Sequence, residues 1–161
     1  MSSGNPFLIR QATSGDAPGI SDCLRIAFEP FPGKYTAAAF ADTVLTEEGV
    51  RQRLATMILF VASGEDGTIV GTIACRVLAG GEGHIRGMAV LPGWQGCGVA
   101  QKLLEAAEAE LRNGKCSRIT LDTTQPLQRA IRFYERNGYR ASGVVTDFFG
   151  MLLYEYSKHL K

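Results

Sequence analysis

The sequence predicts a mixed α/β (α+β) fold of one domain over residues 1–161. A central, mixed but mostly antiparallel, twisted sheet of about seven strands is flanked by helices. Three observations carry this expectation. Short runs of alternating apolar residues are separated by glycine turns, and other segments repeat their apolar residues at helical spacing. The two patterns follow one another as strand, helices, three strands, helix, strand, helix, two strands, which is not the regular alternation of a doubly wound dinucleotide fold. With 161 residues, 45% hydrophobic and 20% charged, the chain can bury one core without disulfides or metal.

Phe7 to Ala12 reads as the first strand, and Thr13-Ser14-Gly15-Asp16 supplies capping residues for a helix through Ile20, Leu24, Ile26 and Ala27. Phe28 to Tyr35, with two prolines, a glycine and three aromatics, breaks that helix. Two roles stand open for this segment: a specificity loop, or a connector whose aromatics cap the core. Helices are expected over Ala37–Leu45 and Glu47–Thr56. Strands Met57–Ala62, Ile69–Leu78 and His84–Leu91 then form a meander, turning at Gly64-Glu65-Asp66-Gly67 and Gly80-Gly81-Glu82-Gly83. Val99, Ala100, Leu103, Leu104, Ala107 and Leu111 fall on one helical face, with Lys102, Glu105, Glu108 and Arg112 on the other, and Gly114 ends the helix. Arg118–Thr123 is a strand, Pro126 opens a helix through Leu127, Ala130, Ile131 and Tyr134, and Gly138 closes it. Tyr139–Thr146 and Met151–Tyr156 make a final antiparallel pair.

A net charge of +1 without blocks of like charge gives no reason to expect nucleic acid or an acidic membrane surface as partner. The four cysteines are widely spaced and the histidines number two, so no metal site is expected. No run is long enough to span a bilayer, and the small, polar N-terminus does not resemble a signal peptide; the expected location is the cytoplasm.

The most informative stretch is Trp94-Gln95-Gly96-Cys97-Gly98-Val99-Ala100. Gly96 and Gly98 lack the Cβ atoms that would hold an anion off the backbone, and the helix expected from about Cys97 or Gly98 adds unpaired N–H groups and the positive end of its dipole. The Lys-Ser/Thr ending of a Walker loop is absent, and the three spaced glycines of a dinucleotide fingerprint are not met.

Two motifs together resemble the GCN5-related N-acetyltransferase (GNAT) superfamily. Gln95, Gly98 and Ala100 match its Gln/Arg-x-x-Gly-x-Gly/Ala signature, after a strand ending Met88-Ala89-Val90-Leu91-Pro92. Ala130, Tyr134, Gly138 and Tyr139 match its Ala-x-x-x-Tyr-x-x-x-Gly-Tyr/Phe pattern. The resemblance is specific from Ile69 to Tyr139. It implies acetyl-CoA (coenzyme A) as acyl donor, splayed strands 4 and 5, and direct acetyl transfer to a primary amine of a small molecule or protein in a ternary complex. A non-catalytic acyl-CoA-binding module and a transferase for a longer acyl-CoA are the alternatives.

The same resemblance implies the site. Backbone groups of Met88, Ala89 and Val90 would hold the pantetheine arm, and Gln95, Gly96, Cys97, Gly98, Val99 and Ala100 the pyrophosphate, with Arg129 and Tyr134 completing the cofactor set. Tyr134 would act as general acid toward the departing thiolate. For the base the candidates are His84, four residues before Met88 where many relatives carry glutamate, and Glu82. An edge-strand polar residue is the other reading of His84. Leu127 stands where the family often has asparagine. Asp122 could orient the amine or cap the following helix; Glu29, Tyr35 and Asp147 are candidate acceptor contacts from position. Cys97 as a nucleophile would sit beside the pyrophosphate, far from the thioester, so a small residue fitting the loop is the simpler reading. The aromatics Phe148, Phe149, Tyr154 and Tyr156 suggest a possible homodimer.

Overall fold

The structure, a computed structural model, describes residues 6–29, 35–124 and 127–160. Its elements are β1 (Phe7–Gln11), α1 (Ala17–Phe28), α2 (Ala37–Thr43), α3 (Glu47–Leu54), β2 (Ile58–Gly64), β3 (Ile69–Val77) and β4 (Glu82–Val90). There follow α4 (Val99–Asn113), β5 (Arg118–Thr123), α5 (Gln128–Arg136), β6 (Arg140–Phe148) and β7 (Met151–His159). The seven strands form one sheet in the order β1-β2-β3-β4-β5-β7-β6. Every pairing is antiparallel except β4 with β5. A parallel pair needs a crossover, and α4 provides it.

Each face of the sheet carries its own apolar layer. On one, α4 buries Val99, Leu103, Leu104 and Leu111 against Ile73, Ile85 and Leu121. Each such aliphatic side chain contributes about 1.5–3 kcal/mol on leaving water. Gly71 of β3 makes the close approach possible, since a Cβ there would stand 2.8 Å from Val99 Cγ1 and 3.0 Å from Leu103 Cδ1. On the other face, α1 and α3 lay Ile20, Leu24 and Val50 on Leu59, Val61 and Ala74.

The expected parting of strands 4 and 5 is present. Glu82–Ile85 pair with Arg118–Leu121, and no pairing continues beyond them. At that point β4 also shifts register against β3 between Thr72 and Ala74, with Gly87 at φ +66°. The bulge re-aims the second half of β4, so its backbone faces a gap instead of β5.

Several expectations are corrected. The turn after β3 is shorter than the glycines suggest: Glu82 and Gly83 already belong to β4, paired with Arg118 and Ile119. Helix α4 starts at Val99, because Gly98 has φ +88° and cannot be helical. Ile26 of α1 is exposed, as it lies off the strip formed by Ile20, Cys23 and Leu24. Glu108, placed by spacing on the solvent face of α4, is 6% exposed because Tyr139 and Lys158 close over it. Of the C-terminal aromatics, Tyr156 packs on the core, and the large exposed apolar side chains there are Val144, Val145, Phe149 and Leu152. The helix-opening role of Pro126 and the middle of the aromatic loop, 30–34, lie outside the described residues. Among the described residues no helix is long and apolar enough to cross a membrane.

Candidate active site

A cleft of about 500 Å³ lies between α4 and α5, over the unpaired half of β4. Met88, Ala89 and Val90 line it, as do Gln95, Gly96, Gly98 and Ala100 of the glycine turn and Arg129 of α5. It extends past Ala130 and Phe133 to Leu127 and to Phe28 at the end of α1. The cleft thus joins the glycine turn to the α1 side of the sheet. Asn137 accepts from the Gln101 amide at 3.0 Å and donates to the Phe133 carbonyl at 3.0 Å, tying the end of α5 to the start of α4.

The glycine turn leaves donors free. Helices α2 and α3 begin with side-chain caps, Thr36 accepting from Ala39 N at 3.2 Å and Thr46 from Gly49 N at 3.1 Å. Helix α4 begins on Gly98 with no side-chain cap. Its first backbone N–H groups, up to Lys102 N bonding to Gly98 O at 3.1 Å, point out of the helix with the positive end of the dipole behind them. Gly96 and Gly98 have φ of +82° and +88°, and a Cβ at either would project into open space. Two guanidinium-bearing residues of α5, Arg129 and Arg136, line the same cleft. The side chains of Cys97 and Val99 turn away: Val99 is in the core, and the Cys97 sulfur stays 4.0 Å from its own turn's Gln95 carbonyl.

Ala130 and Phe133 line the cleft; Tyr134, next to Phe133 on α5, is buried and is not among the lining residues. Its ring is buried edge-on between Phe133 at 5.5 Å and Tyr139 at 5.8 Å, and its hydroxyl bonds to no described residue. Burial pushes its pKa up, so the phenol is a neutral donor. At the end of β5, Thr123 Oγ1 is also buried and without a partner among the described residues. A buried orphan hydroxyl is uncommon, and this one sits where β5 has left β4.

On the α1 side of the sheet, His84 Nδ1 lies 2.9 Å from Thr120 Oγ1 and its Nε2 3.7 Å from Asp122 Oδ2. Thr120 has an acceptor of its own in the Gly83 carbonyl at 3.4 Å. Its oxygen can therefore accept from Nδ1–H, leaving the lone pair on Nε2, toward Asp122. Burial is the main cause lowering the His84 pKa, against the opposing pull of Asp122; burial likewise raises that of Asp122. Both side chains remain within reach of solvent, at 22% and 33% exposure. Glu82 is engaged elsewhere, its carboxylate held by Arg118 at 2.8 Å, and Arg118 also reaches Glu155 at 3.4 Å.

The positional candidates Tyr35, Glu29 and Asp147 do not line the cleft. Tyr35 is buried, its ring edge-on to Phe28 and Phe40 and its hydroxyl 3.3 Å from Thr124 Oγ1. Thr36 donates to the Phe149 carbonyl at 2.7 Å, which joins the start of α2 to the β6–β7 turn. Asp147 accepts from Gly150 N at 3.3 Å and shapes that turn, while Glu29 is exposed just past α1. The sequence does not single out Thr123 or Phe133 as site residues. The position of Phe133, three residues after Ala130, was the available signal for its facing the cleft.

A model of the Acetyltransferase (GNAT) family matches residues 20–139. The chain belongs to the GNAT acetyltransferase family. It is therefore an acyltransferase enzyme of the acyl-CoA-dependent class, with acetyl-CoA as donor. Solved structures agree in fold. The PaiA N-acetyltransferase of Thermoplasma acidophilum, in complex with coenzyme A, superimposes with a TM-score of 0.82 over 96% of this chain and 99% of its own at 16% identity. A GNAT acetyltransferase of Staphylococcus aureus Mu50 gives 0.79 over 97% and 100% at 21% identity. The ribosomal-protein-alanine N-acetyltransferase of Brucella melitensis gives 0.74 over 95% and 99% at 23% identity. No curated protein matches the chain in sequence. The residues present fit a coenzyme A group: an uncapped glycine-started helix for the phosphates, a strand with an unpaired edge for the amide arm, and an orphan Thr123 hydroxyl beside it.

Proposed function

We propose that the protein transfers the acetyl group of acetyl-CoA to a primary amine, of a small molecule or a protein, by direct attack in a ternary complex. The observation that carries this reading is the cleft running from uncapped α4 to the side of the sheet bearing His84 and Asp122. When bound, the cofactor supplies the acetyl group as a thioester. The free N–H groups of α4, with Arg129, would hold its phosphates, and the unpaired edge of Met88 to Val90 would hold its arm. Backbone N–H groups of that edge also lie ready for the charge that develops on the thioester oxygen. His84 Nε2 takes the proton from the incoming ammonium, with Asp122 holding that cation in place. The amine nitrogen would add to the thioester carbonyl and the C–S bond would break as that carbonyl re-forms; the neutral Tyr134 phenol would give its proton to the departing sulfur, and the second proton shed by the new amide nitrogen would pass to water, which restores the phenol. Glu82, committed to Arg118, supports the strand end. Tyr35, Glu29 and Asp147 shape the acceptor's entry, and four free cysteines support a reducing, cytoplasmic setting. The exposed edge strand β6, with Val144 and Val145, supports a homodimer.

Release of free thiol from acetyl-CoA across an amine panel tests the transfer. Tyr134→Phe should bind CoA as the wild type does and lose about 10²–10⁴-fold in turnover. Because the hydroxyl has no partner among the described residues, the melting temperature of the variant should stay unchanged. Undiminished acetylation by Tyr134→Phe would remove the assigned acid, and thiol release from no amine would remove the transferase reading.

A further inference from the structure

Arg53 lies in the last turn of α3. It is partly buried, yet among the described residues its guanidinium has no hydrogen bond and no carboxylate within ion-pair distance. Its Nη1 stands 2.7 Å from the point where a Cβ on Gly87 would be, so it lies against the bulge of β4, one residue before Met88. Glycine is needed there twice over, for its φ of +66° and for the space the guanidinium takes. The neighbourhood does not neutralise it. Arg86 is close enough to repel it, and the one carboxylate that attracts it, Asp42, is already bound to Arg86 Nη2 at 2.9 Å. Residues 30–34 contain no acidic side chain that could supply the missing charge.

Two arginines and one aspartate therefore leave a cation in excess, held beside the point where β4 parts from β5. Burying a guanidinium without a partner is costly, and a guanidinium presents paired donors that match a carboxylate. The opposite sign lies nearby on the same side of the sheet. Asp122 is the Cα partner of Glu155 on β7, and both act electrostatically on His84 together with Arg86. The arrangement has a positive end at Arg53 and a negative end at Asp122, with His84 beside it, while Glu155 is shared with Arg118.

We propose that the acceptor is a zwitterion, an amino acid whose carboxylate is held by Arg53 against the Gly87 bulge while its ammonium lies at His84 and Asp122. This rests on the transferase reading above and names its substrate class. Arg53 would be a specificity-determining residue, since a primary amine without the acid group leaves the guanidinium buried and unpaired.

The test is thiol release from acetyl-CoA with matched acceptors: free α-amino acids, their carboxamides, the corresponding decarboxylated amines, and phosphoethanolamine as a phosphate-bearing amine. The free acids should exceed their carboxamides by at least tenfold in kcat/KM. In Arg53→Gln that ratio should collapse toward one, chiefly through a rise in KM for the acid, and Arg53→Lys should restore part of it. Unchanged KM for acetyl-CoA and an unchanged melting temperature in the same variants show that the fold and donor site are intact. Carboxamides or plain amines used as well as acids would overturn the proposal, as would an acid-to-amide ratio unmoved by Arg53→Gln. Preference for phosphoethanolamine would overturn the carboxylate assignment. Acetylation of no acceptor of any kind, with acetyl-CoA still bound, would instead overturn the transferase reading on which the proposal stands.

Discussion

The hydroxyl of Tyr139 donates to the carboxylate of Glu108 at 2.7 Å inside the core, and Lys158 Nζ reaches the same carboxylate at 3.1 Å. Tyr139 is the last residue of the Ala130–Tyr139 motif, fully buried, and this bond joins α4 to the chain leaving α5. Burial and the adjacent Glu108 push the Tyr139 pKa up, so the phenol remains a donor at all ordinary pH. Tyr139→Phe removes a hydrogen bond to a charged group and should cost about 1.5–3 kcal/mol. Glu108→Ala strands Lys158 and the phenol together and should cost about 3–5 kcal/mol. Urea unfolding would show the order; a Glu108→Ala protein as stable as Tyr139→Phe would mean Lys158 finds water instead.

The extent to which the sequence could be read follows from the range of each interaction. The glycine turn, the amphipathic stripe of α4 and the Ala130–Tyr139 motif are local patterns, and the structure keeps them. Glu108 was misplaced because its neighbours Glu105 and Arg112 obey the solvent-face spacing; the lysine that covers it comes from β7, 50 residues away. The Arg53 guanidinium could not be connected to Gly87 for the same reason, since only the bulge and the end of α3 bring them together. Tyr134 was identified by its motif, but no periodicity distinguishes a residue that lines the cleft from a buried neighbour that does not.

The start of α1 provides an acid-sensitive contact. Asp16 accepts from Arg10 Nη1 and Nη2 at 2.8 Å each and from Thr13 N at 2.8 Å, which lowers its pKa from 3.8 to about 2. The folded value lies below the unfolded one, so this stabilisation is complete above pH 3.8 and is lost as pH falls toward 2. Arg10 is 39% exposed, and screening reduces the expected contribution to about 1 kcal/mol. Asp16→Asn should therefore melt about 2–4 °C lower at pH 7 and nearly together with the wild type at pH 2. A constant difference at both pH values would assign the effect to the turn's shape and not to the charge.

Gly98 tests the donor site separately from strain. Gly98→Ala puts a methyl group into the space in front of α4 at φ +88°, at a strain of about 1–2 kcal/mol. Gly143 of β6 has φ +91° and equally open surroundings, but it does not line the cleft. The two alanine variants should lose similar stability, while KM for acetyl-CoA rises at least tenfold only in Gly98→Ala. Equal KM values in both would detach the glycine turn from cofactor binding.

His84 makes a prediction in pH. Burial lowers its pKa, so the imidazole stays neutral, and able to accept a proton, further into acid than an ordinary histidine. With His84 present, kcat/KM should fall in acid as the imidazole protonates, and the acid limb should lie below the ordinary histidine value of 6.5. In His84→Gln nothing takes the proton from a bound ammonium, so only the small fraction of free amine reacts. The rate at pH 7 should drop about 10²-fold or more and climb tenfold per pH unit toward the amine's own pKa. Thr120→Val leaves His84 in place but removes the oxygen that receives Nδ1–H, and it should give a smaller loss with the wild-type limb displaced. A His84→Gln profile parallel to the wild type would exclude histidine as the base and leave water at the splayed strand edge to take the proton.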